Sequence, residues 1–270
     1  MPELPDVEIF KRLVEHTCLG KLIVKADAVD PGSLEGASPA TLQRRLKGRS
    51  LRACRRHGKV LLFETDSAAA LAMHFGTNGS LRYLRHEDQE PGSVRLLVDF
   101  ADGGRLAYLN PRRIGHVHVV SDVAAFIAES QLGADALDPG FDLNVLARIL
   151  HGRKQAIKSV LMDQTRVAGI GNIYADEILF HARLHPAIAA GTLDRQTMHR
   201  LFDAIKSVLR TAIDCGAGAE NFTDRLPEGF LLPQRHEGGH CPRCGTPIEQ
   251  VRRGGRAGYV CPRCQPAPDA

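Results

Sequence analysis

The hydrophobic pattern changes its period once along this chain, and that change limits the folds open to it. From about Lys21 to Val120 apolar residues come in short runs, at 22–24, 60–63, 70–75, 94–100, 105–109 and 116–120. Turn residues separate the runs, among them Asp30-Pro31-Gly32, Asn78-Gly79, Pro91-Gly92 and Asp102-Gly103-Gly104. Runs of this length between such turns predict a β-sandwich or barrel of about eight strands. After Ser121 the apolar spacing becomes helical, which predicts helices over about 122–131, 142–150, 154–164, 172–182 and 194–214. One more helix is predicted near the start, where Val7, Phe10, Leu13 and Val14 share a face and Pro5 suits a first turn. The fold class is therefore α+β. An N-terminal β-sandwich domain with flanking helices is expected over 1–121, a helical domain over 122–234 and a small C-terminal module over 235–266.

The C-terminal module carries the most specific local signal. Cys241-Pro-Arg-Cys244 and Cys261-Pro-Arg-Cys264 form two C-x2-C turns with sixteen residues between them. Each turn lets two sulfurs converge on one ion, and the spacing is that of a four-thiolate zinc site. Disulfides or a redox dithiol are the alternatives, and a duplicated C-x2-C in a reducing compartment argues against both. One structural zinc ion is expected, since four thiolates leave no coordination position open to substrate. The intervening stretch suits a hairpin turning near Gly254-Gly255. Cys18, Cys54 and Cys215 are scattered and read as buried thiols without chemistry.

Composition adds limits. With 270 residues, 43% hydrophobic and 24% charged, the chain has enough apolar surface for a sizeable core. No apolar run approaches the ~18 residues of a membrane helix. The start MPELPDVEIF carries acids and no apolar stretch, unlike a signal peptide, so a cytoplasmic protein with no membrane partner is expected. The net charge of +4 is mild, but its distribution is uneven. Between Arg235 and Cys264 stand six arginines against two acids. A second basic cluster runs from Arg44 to Lys59. Such patches suit a phosphate backbone, and equally a solvated surface.

Three segments sharpen the reading. RRHGKVLLFE, residues 55–64, places Lys59 at the start of a strand. AIKSVLMDQTRVAGIGNIYADEILFHARLHP, residues 156–186, reads as a helix, a turn through Gly169 and Gly171, and a second helix from near Asn172. That helix start would aim free N–H groups at an anion. With MPELPDVE and the cysteine hairpin, these segments stand in collinear order from residue 1 to about 265. In this the sequence resembles the formamidopyrimidine-DNA glycosylase family, relatives of endonuclease VIII, and lies nearer the formamidopyrimidine branch. The resemblance implies a helix–two-turn–helix DNA-binding domain, a zinc-finger hairpin, damaged double-stranded DNA lying between the sandwich and the helical half, and a monomer.

It also implies roles. Pro2, once Met1 is removed, would be the nucleophile that attacks C1′ of a flipped nucleotide. Glu3 would open the sugar and carry protons. Lys59 and Arg256 would hold phosphates and assist β- and δ-elimination. Asn172 and Lys158 would hold the DNA backbone, although Lys158 reads equally as a solvated lysine. Arg112 would read the base opposite the lesion, with Thr77 and Ile114 filling the gap left by flipping. Here the sequence departs from the family. Thr77 stands where methionine is usual, Ile114 where phenylalanine is, and Gly92-Ser93 where a histidine is common. After Cys215, GAGAENFTDRLPEGFLLP replaces a GGTTLxDF-like loop over 8-oxoguanine. The departures fall on lesion recognition and leave Pro2, Glu3, Lys59 and Arg256 untouched. A DNA-binding protein without catalysis is the competing reading, and a zinc-ribbon RNA-processing factor the third; neither gives a use to a terminal proline.

Overall fold

The structure is a computed structural model, and it describes residues 2–219, 221–253 and 256–268, apart from the side chains of Arg253 and Arg256. The chain divides into two compact units. Unit 1 holds Pro2 and Asp6–Gln131; unit 2 holds Glu3–Pro5 and residues from Leu132 onward.

Helix α1 (Leu4–Thr17) opens the chain. The strands of unit 1 are β1 (Ile23–Asp27), β2 (Leu34–Glu35), β3 (Leu51–His57), β4 (Val60–Thr65), β5 (Ala70–His74), β6 (Ser80–Leu84), β7 (Val94–Phe100), β8 (Arg105–Leu109) and β9 (His116–Val120). They form a four-stranded sheet in the order β1-β7-β8-β6 and a five-stranded sheet in the order β2-β9-β5-β4-β3. Both sheets contribute to one core: Ile23, Leu96, Val98, Leu106 and Tyr108 from the first meet Leu51, Leu61, Phe63, Leu71, Met73 and Val117 from the second. This is the expected sandwich, with alternate residues of the inner strands β4, β5, β7 and β8 turned into the shared core. Val7 and Val14 of α1, spaced seven apart on one helix face, are fully buried in the same core.

Two elements here escape the hydrophobic pattern. Helix α2 (Pro39–Leu46) buries only Leu42 and Leu46, and its N-cap is Ser38, whose hydroxyl accepts from Thr41 N at 3.2 Å. Strand β3 buries only Leu51 and Cys54, so its arginines read as a charge cluster. Helix α3 (Val123–Glu129), which the change of period groups with the helical half, belongs to unit 1.

Unit 2 contains β10 (Ala134–Asp135), α4 (Leu143–Leu150), α5 (Ile157–Met162), β11 (Val167–Ala168), α6 (Asn172–Ala182), α7 (Arg195–Asp214), β12 (Glu249–Arg253) and β13 (Arg256–Val260). Helix α6 packs against α5, α7 and β13, which explains why it is buried almost all round. Helix α5 starts three residues later than its sequence pattern suggests. Ala156 bridges to Ala189, and Ala190 N donates to Gln155 O at 2.9 Å, so this stretch is extended. Strands β12 and β13 pair antiparallel from Glu249↔Val260 to Arg253↔Arg256 as the C-terminal hairpin.

Candidate active and DNA-binding site

The functional geometry begins at the start of α6. Four N–H groups at a helix N-terminus lack partners within the helix. Here the carboxylate of Glu3, 1% exposed, meets three backbone donors. Glu3 Oε2 accepts from Gly171 N at 2.7 Å and Tyr174 N at 3.2 Å, and Oε1 accepts from Ile173 N at 2.9 Å. The anion that the helix start calls for is thus the chain's own third residue. The approach needs both glycines of the Gly-Ile-Gly turn. Gly169 has φ +109°, which L side chains rarely adopt, and its carbonyl accepts from Leu4 N at 3.0 Å. A Cβ on Gly171 would overlap the Glu3 carboxylate. In this way the turn fixes the residue that follows Pro2 in the chain.

Asn172, the first residue of α6, donates from Nδ2 to Ala257 O on β13 at 2.9 Å. Its Oδ1 is buried and has no hydrogen-bond partner among the described residues. Lys158 lies at the start of α5, 12% exposed, and pairs with Asp176 of α6 at 2.6 Å. Arg256 begins β13, one residue before the Ala257 carbonyl that Asn172 holds, and its side chain lies outside the described residues.

The four cysteines converge. Their Sγ atoms all lie within 4.8 Å of one another. Cys241–Cys264, Cys244–Cys261 and Cys244–Cys264 are 3.8, 3.6 and 3.6 Å apart. A tetrahedral ion with Zn–S bonds of about 2.3 Å requires sulfur separations of about 3.8 Å, so the set fits one structural zinc. The knuckle packs on Phe180, at the far end of α6 from Glu3, together with Leu231 and Ile248. Arg243 lies 4.2 Å over the Phe180 ring and donates to Phe180 O at 2.8 Å. Both ends of α6 are therefore anchored, one by Glu3 and the other by the knuckle.

In unit 1, Pro2 is half-buried just ahead of α1. Lys59 follows the tight turn at Gly58 (φ +57°) and is only 7% exposed. Arg56 braces this turn, donating from Nη1 to Gly58 O at 3.1 Å and from Nε to Glu8 of α1 at 3.0 Å. His74 lies on the neighbouring strand, opposite Val60. Burial, then the charges of His116 and Lys59, hold its imidazole below the ordinary 6.5.

The loops after β5 and after β8 meet through Asn110. Its side chain donates to Phe75 O at 3.1 Å and Tyr108 Oη at 2.9 Å, and its carbonyl accepts from Arg95 Nε at 2.7 Å. The loops after β5 and after β8 are thereby joined, so Thr77 comes from one and Arg112 and Ile114 from the other. Arg112 is exposed and Ile114 is 48% exposed, an isolated apolar tip. Thr77 Oγ1 is buried without a hydrogen-bond partner among the described residues. Sequence reasoning missed Asn110, Asp176 and Arg235. The adjacent acids Asp176-Glu177 inside an otherwise apolar helix were the available signal for the second.

Three family models cover most of the chain. The formamidopyrimidine-DNA glycosylase N-terminal domain matches residues 1–117, the formamidopyrimidine-DNA glycosylase H2TH domain matches 132–224, and a zinc finger found in FPG and IleRS matches 238–267. A formamidopyrimidine-DNA glycosylase of Symbiobacterium thermophilum is 36% identical, over 100% of this chain and 90% of its own. That of Thiobacillus denitrificans is 37% identical, over 98% and 100%. Among solved structures, the Lactococcus lactis enzyme non-covalently bound to DNA with an AP site superposes with a TM-score of 0.87 at 30% identity, covering 98% of this chain and 100% of that one. The same enzyme with FAPY-dG-containing DNA gives 0.88 at 29%, with the same coverage. The fold and site are those of a zinc-bearing helix–two-turn–helix protein of DNA repair. The chain belongs to the formamidopyrimidine-DNA glycosylase family.

Proposed function

We infer that this chain is a base-excision-repair DNA glycosylase with lyase activity, working through a Schiff base at Pro2. The observation that supports this most is the locking of Glu3 onto the start of α6, which fixes the side chain of the residue that follows Pro2 in the chain.

After removal of Met1, Pro2 presents a secondary amine, and α-amino groups titrate near ~8, so part is unprotonated at neutral pH. Its lone pair forms the bond to C1′ of the flipped nucleotide. The glycosidic bond breaks, its electron pair leaves with the damaged base, and Glu3 handles the protons of ring opening. The resulting iminium has no N–H to lose, so it remains cationic and draws electrons from C2′. Loss of the C2′ proton expels the 3′ phosphate, and a second elimination expels the 5′ phosphate. Lys59 holds a phosphate and assists the first elimination, and Arg256 serves the second. Asn172 and Lys158 hold the backbone, and Arg112, Thr77 and Ile114 occupy the gap in the stack. Cys241, Cys244, Cys261 and Cys264 would hold a structural zinc that closes the hairpin carrying Arg256, with no part in bond breaking.

The substrate is damaged double-stranded DNA, bound by a monomer in the cytoplasm. Among the described residues no helix is long and apolar enough to cross a membrane. Borohydride reduction in the presence of abasic DNA tests the reading. Processed protein is expected to be trapped covalently, and acetylation of its N-terminus is expected to abolish trapping. Undiminished trapping after acetylation removes Pro2 from the mechanism, and no trapping at all favours a non-catalytic DNA-binding protein.

A further inference from the structure

Asp176 sits in the middle of α6 with its side chain 1% exposed, where an unanswered carboxylate would be costly. Oδ1 meets Lys158 Nζ at 2.6 Å. Oδ2 accepts from Arg235 Nε at 3.0 Å and Nη2 at 2.8 Å, and from Tyr259 N at 3.2 Å. The Arg235 guanidinium also lies over the Tyr259 ring, 4.9 Å from its centroid. One carboxylate thus joins the start of α5, the segment leading to the zinc module, and β13. Gly258 completes the arrangement: a Cβ there would stand 2.5 Å from Lys158 Nζ and 3.1 Å from Asp176 Oδ1. The hairpin backbone packs directly on the ion pair.

The charges do not cancel. Lys158 and Arg235 bring two positive charges against one negative. A lone Lys158–Asp176 pair would be neutral and would attract a phosphate weakly. Arg235 is bound to the carboxylate by two N–H groups and is stacked on Tyr259, whereas Lys158 holds it by a single ion pair. The planar fork of arginine suits a carboxylate, and the ammonium of lysine is a rotatable point charge. Of the two cations, Lys158 is therefore the one held to Asp176 by the simpler contact.

We propose that Arg235 is a positioning residue for DNA-backbone binding: its two-point bond to Asp176 satisfies that carboxylate and leaves the charge of Lys158 for a DNA phosphate. The same bond holds Tyr259, and with it the hairpin, on α6. The inference rests on the reading that unit 2 binds the DNA backbone.

The salt dependence of binding to an abasic-site duplex tests it, with wild type, Arg235→Met, Lys158→Met, Arg235→Lys and Asp176→Asn compared. The slope of log K against log salt falls by about 0.9 for each DNA phosphate that the protein no longer neutralises. Arg235→Met and Lys158→Met are each expected to flatten the slope by about that amount. Arg235→Lys keeps the charge and is expected to keep the slope. Asp176→Asn leaves both cations and is expected to hold or steepen it. A merely structural Arg235 would weaken binding equally at every salt concentration, and an unchanged slope in zinc-loaded Arg235→Met overturns the proposal. If Arg235→Met does not retain zinc, Asp176→Asn decides, and a flattened slope in that variant overturns it. A wild-type protein whose binding ignores salt refutes the DNA reading instead, so the two failures are distinct.

Discussion

Gly171→Ala isolates the interaction on which the site depends. The backbone at Gly171 has φ −122°, which alanine adopts freely, so the substitution introduces no torsional strain. Its methyl group, however, would occupy the space of the Glu3 carboxylate. Glu3 must then withdraw from Gly171 N, Ile173 N and Tyr174 N. Hydrogen bonds to a charged group contribute about 1.5–3 kcal/mol each, and part of that returns as water reaches the freed groups. A carboxylate near a helix N-terminus adds up to about 2 kcal/mol through the dipole. We expect unit 2 to be destabilised by about 2–4 kcal/mol. Alanine is also a poorer N-cap than glycine, which accounts for roughly 1 kcal/mol at most. In a Glu3→Ala background only that smaller cost should remain, and the difference is the coupling. Urea unfolding followed by far-ultraviolet circular dichroism measures the stability. Amide exchange at Ile173 and Tyr174 locates the change, and borohydride trapping should fall sharply alongside it. A stability within about 0.5 kcal/mol of wild type, with unchanged protection at those amides, would refute the account of how Glu3 is held.

Other outcomes follow from the same geometry. Metal analysis should find one zinc per chain, and Cys244→Ser should release it and weaken DNA binding while unit 1 stays folded, as thermal scans of the variant and the wild type will check. Burial pushes the Cys18 thiol up to about 11, and pushes Cys54 upward still more strongly. Neither should react with a thiol reagent at neutral pH, whereas Cys215, half-buried and not buried as its sequence surroundings suggest, should be the one thiol of the zinc-loaded native protein that does. Thiolate forms only as pH rises toward these raised values, so an alkaline pH should bring in Cys18 before Cys54. In the role proposed for them, Ile114 lacks the aromatic face that gives roughly 1–3 kcal/mol of base stacking, and Thr77 would fill less of the gap than methionine. Single-turnover excision of 8-oxoguanine opposite cytosine should therefore be slower than cleavage at an abasic site or excision of a ring-opened purine. Equal rates would show that these two positions do not set lesion choice.

The sequence carried the sandwich, the helical half and the zinc module, because each depends on a local pattern: short apolar runs, helical spacing, paired C-x2-C turns. It also suggested residues for the site, through motifs rather than geometry. It could not carry the partner of the α6 N-terminus, because Glu3 lies 168 residues from Gly171 along the chain. Nor could it reveal Asp176 as a hub, since Lys158, Arg235 and Tyr259 reach it from three separate segments. Helix α2 and strand β3 stayed hidden because each buries two apolar side chains and covers the remainder with arginine and polar residues. The late start of α5 depends on the Ala156–Ala189 bridge, a tertiary interaction that overrides helical spacing.

In the mechanism proposed above, Pro2 forms the covalent bond to DNA. Mass-spectrometric mapping of the borohydride-reduced adduct with an abasic duplex tests it most directly. A secondary-amine-derived linkage is expected on the N-terminal peptide, at the nitrogen of Pro2 after loss of Met1, with no adduct in the Pro2→Gly peptide at comparable yield. An adduct mapped to Lys59, or to any other lysine of the native protein, would contradict it.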